Sequence, residues 1–120
     1  LLWNLHASLS EDGRVLIDTS GKEVVARAFE PTSMETLPDG AILEQKRHIE
    51  PGWEWLCSTW VLKKGGDTYE MTLRHRVYSG VELKAVLMSV GFEDVRLYGS
   101  LEGIPYDNQA RRLVAVARKP

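Results

Sequence analysis

The sequence predicts an α/β protein with an antiparallel sheet inserted into it. Three observations carry that prediction. Near the start, a helix-spaced apolar stretch gives way through Gly13 to Val15-Leu16-Ile17, an apolar run that stops at Asp18. Towards the end, a second helical stretch closes on Gly91-Phe92 and is followed by two more apolar runs, Val95 to Leu101 and Leu113 to Ala117. Between these ends, two-residue alternation interrupted at Pro51-Gly52 and Gly65-Gly66 marks antiparallel strands.

Leu1, Leu2, Leu5 and Leu9 recur at helical spacing and place a helix already under way at the first residue, ending by Gly13. His6 has no ligating partner four residues on, where Ser10 stands, so it is expected to be a packed or half-exposed histidine. Gly21 to Phe29 fits a helix or a strand. Pro38-Asp39-Gly40 is a turn, since proline fixes φ and glycine accepts a positive one. Residues 41–78 are expected to hold three strands. Ser79 and Glu82 then stand at capping-box spacing, Val81, Leu83, Val86, Leu87 and Val90 supply an apolar stripe, and Gly91 is the glycine expected just past a helix end.

The hairpin around Gly65-Gly66 fixes a register. Leu56, Ser58, Trp60 and Leu62 then face His75, Leu73, Met71 and Tyr69, giving an apolar side on which His75 is expected to be a core histidine. The other side pairs Cys57 with Arg74, Trp55 with Arg76 and Trp53 with Tyr78. Trp55 and Arg76 are placed for a cation–π contact. A two-residue turn at Pro51-Gly52 would add Lys46 and His48 to this aromatic and basic side.

The 120 residues are expected to form a single domain, with residues 41–78 as an antiparallel insert. A net charge of -2 gives no overall attraction to nucleic acid or an anionic membrane, and no run approaches the length of a membrane span. With no signal peptide visible, a cytoplasmic protein is expected. Cys57 is the only cysteine, so no internal disulfide forms, and spacing along the chain shows no set of metal ligands.

The order of these elements resembles that of class I S-adenosylmethionine (SAM)-dependent methyltransferases. LSEDGRVLIDTS (9–20) resembles their passage from a helix into the fifth strand, and VELKAVLMSVGFEDVRLYGS (81–100) is similar to their last helix, Gly-Phe turn and sixth strand. RRLVAVARKP (111–120) resembles their seventh strand, which in that family runs antiparallel between the fifth and sixth. The resemblance implies the C-terminal part of a Rossmann-like methyltransferase sheet, α+β as an isolated fragment, with residues 41–78 as an inserted three-stranded sheet. The family's Gly-rich cofactor turn has no counterpart here. The resemblance therefore implies SAM as cofactor, held mainly by an upstream half, with no cofactor-binding residue in this chain and no turnover by it alone.

In such sheets ligands lie beyond the carboxyl ends of the parallel strands, which brings Asp18 and the loop holding Tyr106 and Asp107 into reach. Trp55, Arg74, Arg76 and Tyr78 offer an aromatic, basic face suited to a planar or anionic acceptor. Asp18, Trp55, Arg74, Arg76, Tyr78 and Tyr106 are thus the candidate substrate contacts for a small-molecule methyl acceptor. The competing reading is a non-catalytic α+β module for ligand binding or dimerisation. Taken alone, the chain is expected to self-associate through the insert sheet or the edge of the strand resembling the family's fifth. Parted from its natural neighbour, that strand leaves unpaired backbone groups.

Overall fold

The structure, a computed structural model, describes residues 1–120. The elements are α1 (Leu2–Ser8), β1 (Arg14–Thr19), α2 (Lys22–Ala28), β2 (Thr32–Thr36), β3 (Ile42–Ile49), β4 (Trp55–Lys64), β5 (Asp67–Arg76), α3 (Gly80–Val90), β6 (Glu93–Tyr98) and β7 (Leu113–Arg118). They divide into two compact units, Leu1–Ala28 with Tyr78–Pro120, and Phe29–Val77.

The first unit is built on a three-stranded sheet in the order β1-β7-β6, with β7 antiparallel to both neighbours. That is the strand order the family resemblance implies. Its core joins Leu83 and Leu87 of α3 to Phe92 and to Leu113, Ala115 and Ala117 of β7. The spacing of Leu83 and Leu87 puts both on one helix face, and each fully buried leucine contributes about 1.5–3 kcal/mol. Both ends of α3 form as the sequence predicts. The Ser79 hydroxyl accepts from the Glu82 N–H and the Glu82 carboxylate accepts from the Ser79 N–H, each at 3.0 Å. Gly91 closes the helix at φ 114°, a conformation that favours glycine.

α1 stops at Ser8, short of Gly13, because Leu9 is already extended and the following turn is held from outside the helix. There the Asp12 N–H donates to the Lys119 carbonyl at 2.8 Å. His6 packs edge-on against Phe92 with ring centroids 4.9 Å apart, in keeping with a packed histidine. The ambiguous Gly21–Phe29 segment is helical, as α2. Two groups remote in sequence hold its start: the Tyr78 carbonyl accepts from the Lys22 N–H, and Glu23 accepts from the Gly80 N–H.

The second unit is a four-stranded antiparallel sheet, β2-β3-β4-β5. Residues 41–78 hold the three strands expected of them, and the sheet gains a fourth, β2, from the segment just before them. β2 (TSMET) has a single large apolar residue, Met34, and its pairing comes from β3's backbone rather than from any pattern of its own. The β4–β5 register matches the prediction at every pair, from Lys64 with Asp67 to Trp55 with Arg76. The β3–β4 register differs by two residues, because the turn is longer than Pro51-Gly52. The Glu50 N–H donates to the Trp55 carbonyl, and Gly52 and Trp53 take φ of 93° and 60°. A shift of two preserves the face, so Lys46 and His48 still share a side with Cys57.

The apolar side of the ribbon is only partly a core. Leu56 and Ser58 are buried, whereas Tyr69, Met71, Leu73 and His75 are exposed. His75 is therefore not the core histidine the alternation predicts. The unit contains no helix, so it has no layer of its own to cover β5.

Candidate functional site

In the first unit, α2, the start of α3, the end of β6 and the β6–β7 loop surround a pocket of about 580 Å³. Val81, Leu97 and the Tyr106 ring give it apolar walls, and Glu23, Arg27, Asp107 and Asn108 stand around it. The charged groups are already engaged. The Glu23 carboxylate accepts from the Gly80 N–H at 2.7 Å, and Arg27 donates to the carbonyls of Asn108 and Ala110. The Asp107 carboxylate accepts from the Gln109 N–H at 2.9 Å, the arrangement of a turn former.

Tyr106 is the unusual member. Its hydroxyl is buried and makes no hydrogen bond of good geometry, with the Glu23 carboxylate its nearest candidate partner. Burial, with the nearby Glu23 charge, pushes its pKa up to about 12, so it stays a neutral donor at physiological pH. Two glycines make room for it. A Cβ on Gly21 would lie 2.1 Å from the hydroxyl oxygen, and one on Gly80 would lie 3.0 Å from the ring.

β1 runs one residue past Asp18, to Thr19, and the Asp18 carboxylate accepts from Arg112 Nε at 2.8 Å, which ties β1 to the approach of β7. Tyr78 does not continue the ribbon opposite Trp53. The ladder ends at Trp55 with Arg76, and Tyr78 is half-buried against the core of the first unit.

In the second unit, Trp55, Arg74 and Arg76 do share one sheet face, with a different pairing from that expected. The guanidinium over Trp55 belongs to Arg74, 4.0 Å from the ring centroid, while Arg76 pairs with Glu54 at 3.0 Å. A long side chain reaches its diagonal neighbour as readily as the residue directly opposite. Arg74 also grips both oxygens of Glu50, at 2.7 Å from Nη2 and 3.1 Å from Nε. That contact holds the Glu50 carboxyl below its usual range, whereas burial and the Glu50 charge push the Cys57 thiol up. Sequence reasoning missed Glu50 altogether. The longer turn also sets His48 opposite Cys57, and the donor atoms of His48, Glu50 and Cys57 all lie within 4.8 Å of one another.

In the first unit β1 passes into α2 through a strand–glycine–helix turn, Thr19-Ser20-Gly21-Lys22, the local form of a dinucleotide-type cradle. The Tyr106 hydroxyl fills the space over Gly21, so this turn does not fit a cofactor. No helix is long and apolar enough to cross a membrane.

The β1-β7-β6 sheet with its antiparallel insert is the fold of the C-terminal half of class I SAM-dependent methyltransferases. Among solved structures, the CcbJ methyltransferase of Streptomyces caelestis matches with a TM-score of 0.77 and 20% identity, over 98% of this chain and 48% of its own. A SAM-dependent methyltransferase from Clostridium acetobutylicum matches with the same TM-score of 0.77 at 9% identity, over 98% and 49%. A SAM-bound amino pentose methyltransferase of Micromonospora echinaspora, involved in calicheamicin biosynthesis, matches at 0.57 and 13% identity, over 99% and 49%. This chain therefore spans about half the length of the proteins it matches. No family model matches the sequence, and no curated protein matches it significantly.

Proposed function

We propose that this chain is the substrate-side, C-terminal portion of a cytoplasmic SAM-dependent methyltransferase acting on a small molecule. One observation carries the reading. The strand order β1-β7-β6 and the insert run together along nearly the whole chain, as in the half of each methyltransferase that it matches. SAM supplies the electrophilic methyl group when bound. The filled space over Gly21 supports its being held mainly by an upstream half, so that this chain alone does not turn over. The task left to these residues is to orient the acceptor and exclude water. Asp18, Tyr78 and Tyr106 are the candidate acceptor contacts of the first unit, and Trp55, Arg74 and Arg76 are those of the second, each group taken by itself. The aromatic and basic character of the second group favours an acceptor with a planar or anionic part.

The test is the mass of the native protein in its source cells, followed by calorimetry with S-adenosylhomocysteine. A species about twice this size that binds the product analogue, where the 120-residue chain does not, is the expected result. A native species of this size that binds none would replace this reading with the non-catalytic α+β module. That alternative draws on the insert having a complete sheet of its own.

A further inference from the structure

The four-residue turn between β3 and β4 brings together three side chains that sequence spacing keeps apart. His48 and Glu50 stand two apart at the end of β3, hence on one face, and Cys57 lies directly across from His48 on β4. We infer that His48, Glu50 and Cys57 form a binding site for a borderline-soft divalent cation, Zn²⁺ being the one their chemistry fits best. The site lies wholly within the insert and stands whether or not the chain is part of a methyltransferase.

Geometry supports it first. Zinc bonds of about 2.3 Å to sulfur and 2.0 Å to oxygen at a tetrahedral angle separate the two donors by about 3.5 Å. The Cys57 Sγ and Glu50 Oε1 are 3.5 Å apart. The imidazole of exposed His48 needs only a side-chain rotation to complete the triangle, since all three donors already lie within 4.8 Å. Chemistry then selects the ion. One nitrogen, one sulfur and one carboxylate oxygen suit zinc or cobalt and do not suit magnesium or calcium, which take oxygen alone. Three protein donors leave a fourth position for water or an incoming ligand.

Arg74 is the group that could oppose a cation here. Its bond to Glu50 still leaves lone pairs on the carboxylate, which accepts from several partners at once. In that position it orients the ligand, as outer partners of metal-bound carboxylates do. Deprotonation on binding makes the ligand set itself more negative, which offsets the nearby Arg74. The Cys57 S–H bond breaks, its proton passes to solvent, and the thiolate pair forms the bond to the metal.

Cobalt is the probe, because a thiolate bound to Co²⁺ absorbs in the near ultraviolet and Cys57 is the only cysteine. Titrating the full chain is expected to give a saturable one-to-one charge-transfer band that Zn²⁺ abolishes and Cys57→Ser lacks. His48→Ala and Glu50→Gln should each weaken cobalt binding about tenfold or more. His75→Ala, on the opposite face, should leave it unchanged. The inference is overturned if no band develops at saturating cobalt. A band of unaltered affinity in His48→Ala also overturns it, for that is a lone thiol capturing cobalt. His48 is exposed, so this variant is read in a folded protein even where Glu50→Gln unsettles the turn.

Discussion

Replacing Gly21 with alanine tests the packing around Tyr106 directly. The new methyl group would stand 2.1 Å from the Tyr106 hydroxyl oxygen and 3.1 Å from the Leu113 Cβ. Comfortable contact needs about 3.5 Å, so the tyrosine would have to retreat by more than an ångström into a site walled by Gly80. Overpacking of this kind costs about 1–3 kcal/mol, against a gain of about 0.4–1 kcal/mol from stiffening the unfolded chain. The net expectation for Gly21→Ala is a loss of about 1–2 kcal/mol. Tyr106→Phe removes the obstructing oxygen together with a buried hydroxyl that makes no hydrogen bond of good geometry. That change alone should be neutral or stabilising, since an unsatisfied buried group costs about 1–3 kcal/mol. In the phenylalanine background Gly21→Ala still meets the ring Cζ and the Leu113 Cβ at 3.1 Å, so part of its cost remains and the coupling should be about 1 kcal/mol. Urea unfolding of the four proteins, followed by circular dichroism, measures the cycle. A coupling below about 0.5 kcal/mol would refute the reasoning, because independent sites add within that margin.

Leu87→Ala, at a position with no exposed surface, should cost about 2–5 kcal/mol, while Val81→Ala, 80% exposed on the same helix, should change stability by less than about 0.5 kcal/mol. Equal losses in urea denaturation would contradict the assignment of the α3 core face. Lys22 first, and then the Ser79 N–H, depress the folded pKa of Glu82 from 4.5 to about 2. Its contribution is therefore complete above pH 4.5 and is lost as the pH falls towards 2, so the wild type should lose its advantage over Glu82→Gln across that window. An advantage that stays constant from neutral pH to pH 2 would show that the carboxylate is not the cause. β1 has an unpaired edge and Leu16 is 56% exposed, so the chain should self-associate at tens of micromolar and Leu16→Lys should weaken the association. A monomer in light scattering at that concentration would remove the edge from consideration.

What the sequence disclosed, and what it hid, follows the range of the forces involved. The capping box at Ser79 and Glu82, the turn at Gly91 and the β4–β5 register rest on residues close in the chain, and all three formed as read. The order β1-β7-β6 was legible only through family resemblance, because nothing local says that β7 enters between the other two. β2 stayed hidden since its hydrogen bonds come from β3 and its own residues alternate weakly. The length of the β3–β4 turn depended on Gly52 and Trp53 both taking positive φ, which tryptophan does not advertise. An error of two residues there was enough to place Lys46, rather than His48, across from Cys57. The proposed ligand set was thus concealed although His48 and Cys57 were assigned to the correct face, and Glu50 was not assigned at all. Arg74 rather than Arg76 lies over Trp55 because Glu54 and Glu50 divide the two arginines between them.

The position of β7 governs the order in which the first unit can be made. Arg118 of β7 stands across from Arg14 on one side and from Glu93 on the other, so β1 and β6 are joined only when the last strand of the three arrives. Synthesis delivers β1 long before β7, and the β1–β7 pairing joins the most distant parts of the chain. Until the ribosome has released the segment around Val114 to Ala117, α3 has formed its capped turn but has only half of the surface it will cover. A nascent chain stalled just short of that segment leaves Leu83 and Leu87 of α3 without Leu113, Ala115 and Ala117, the β7 residues that share their core.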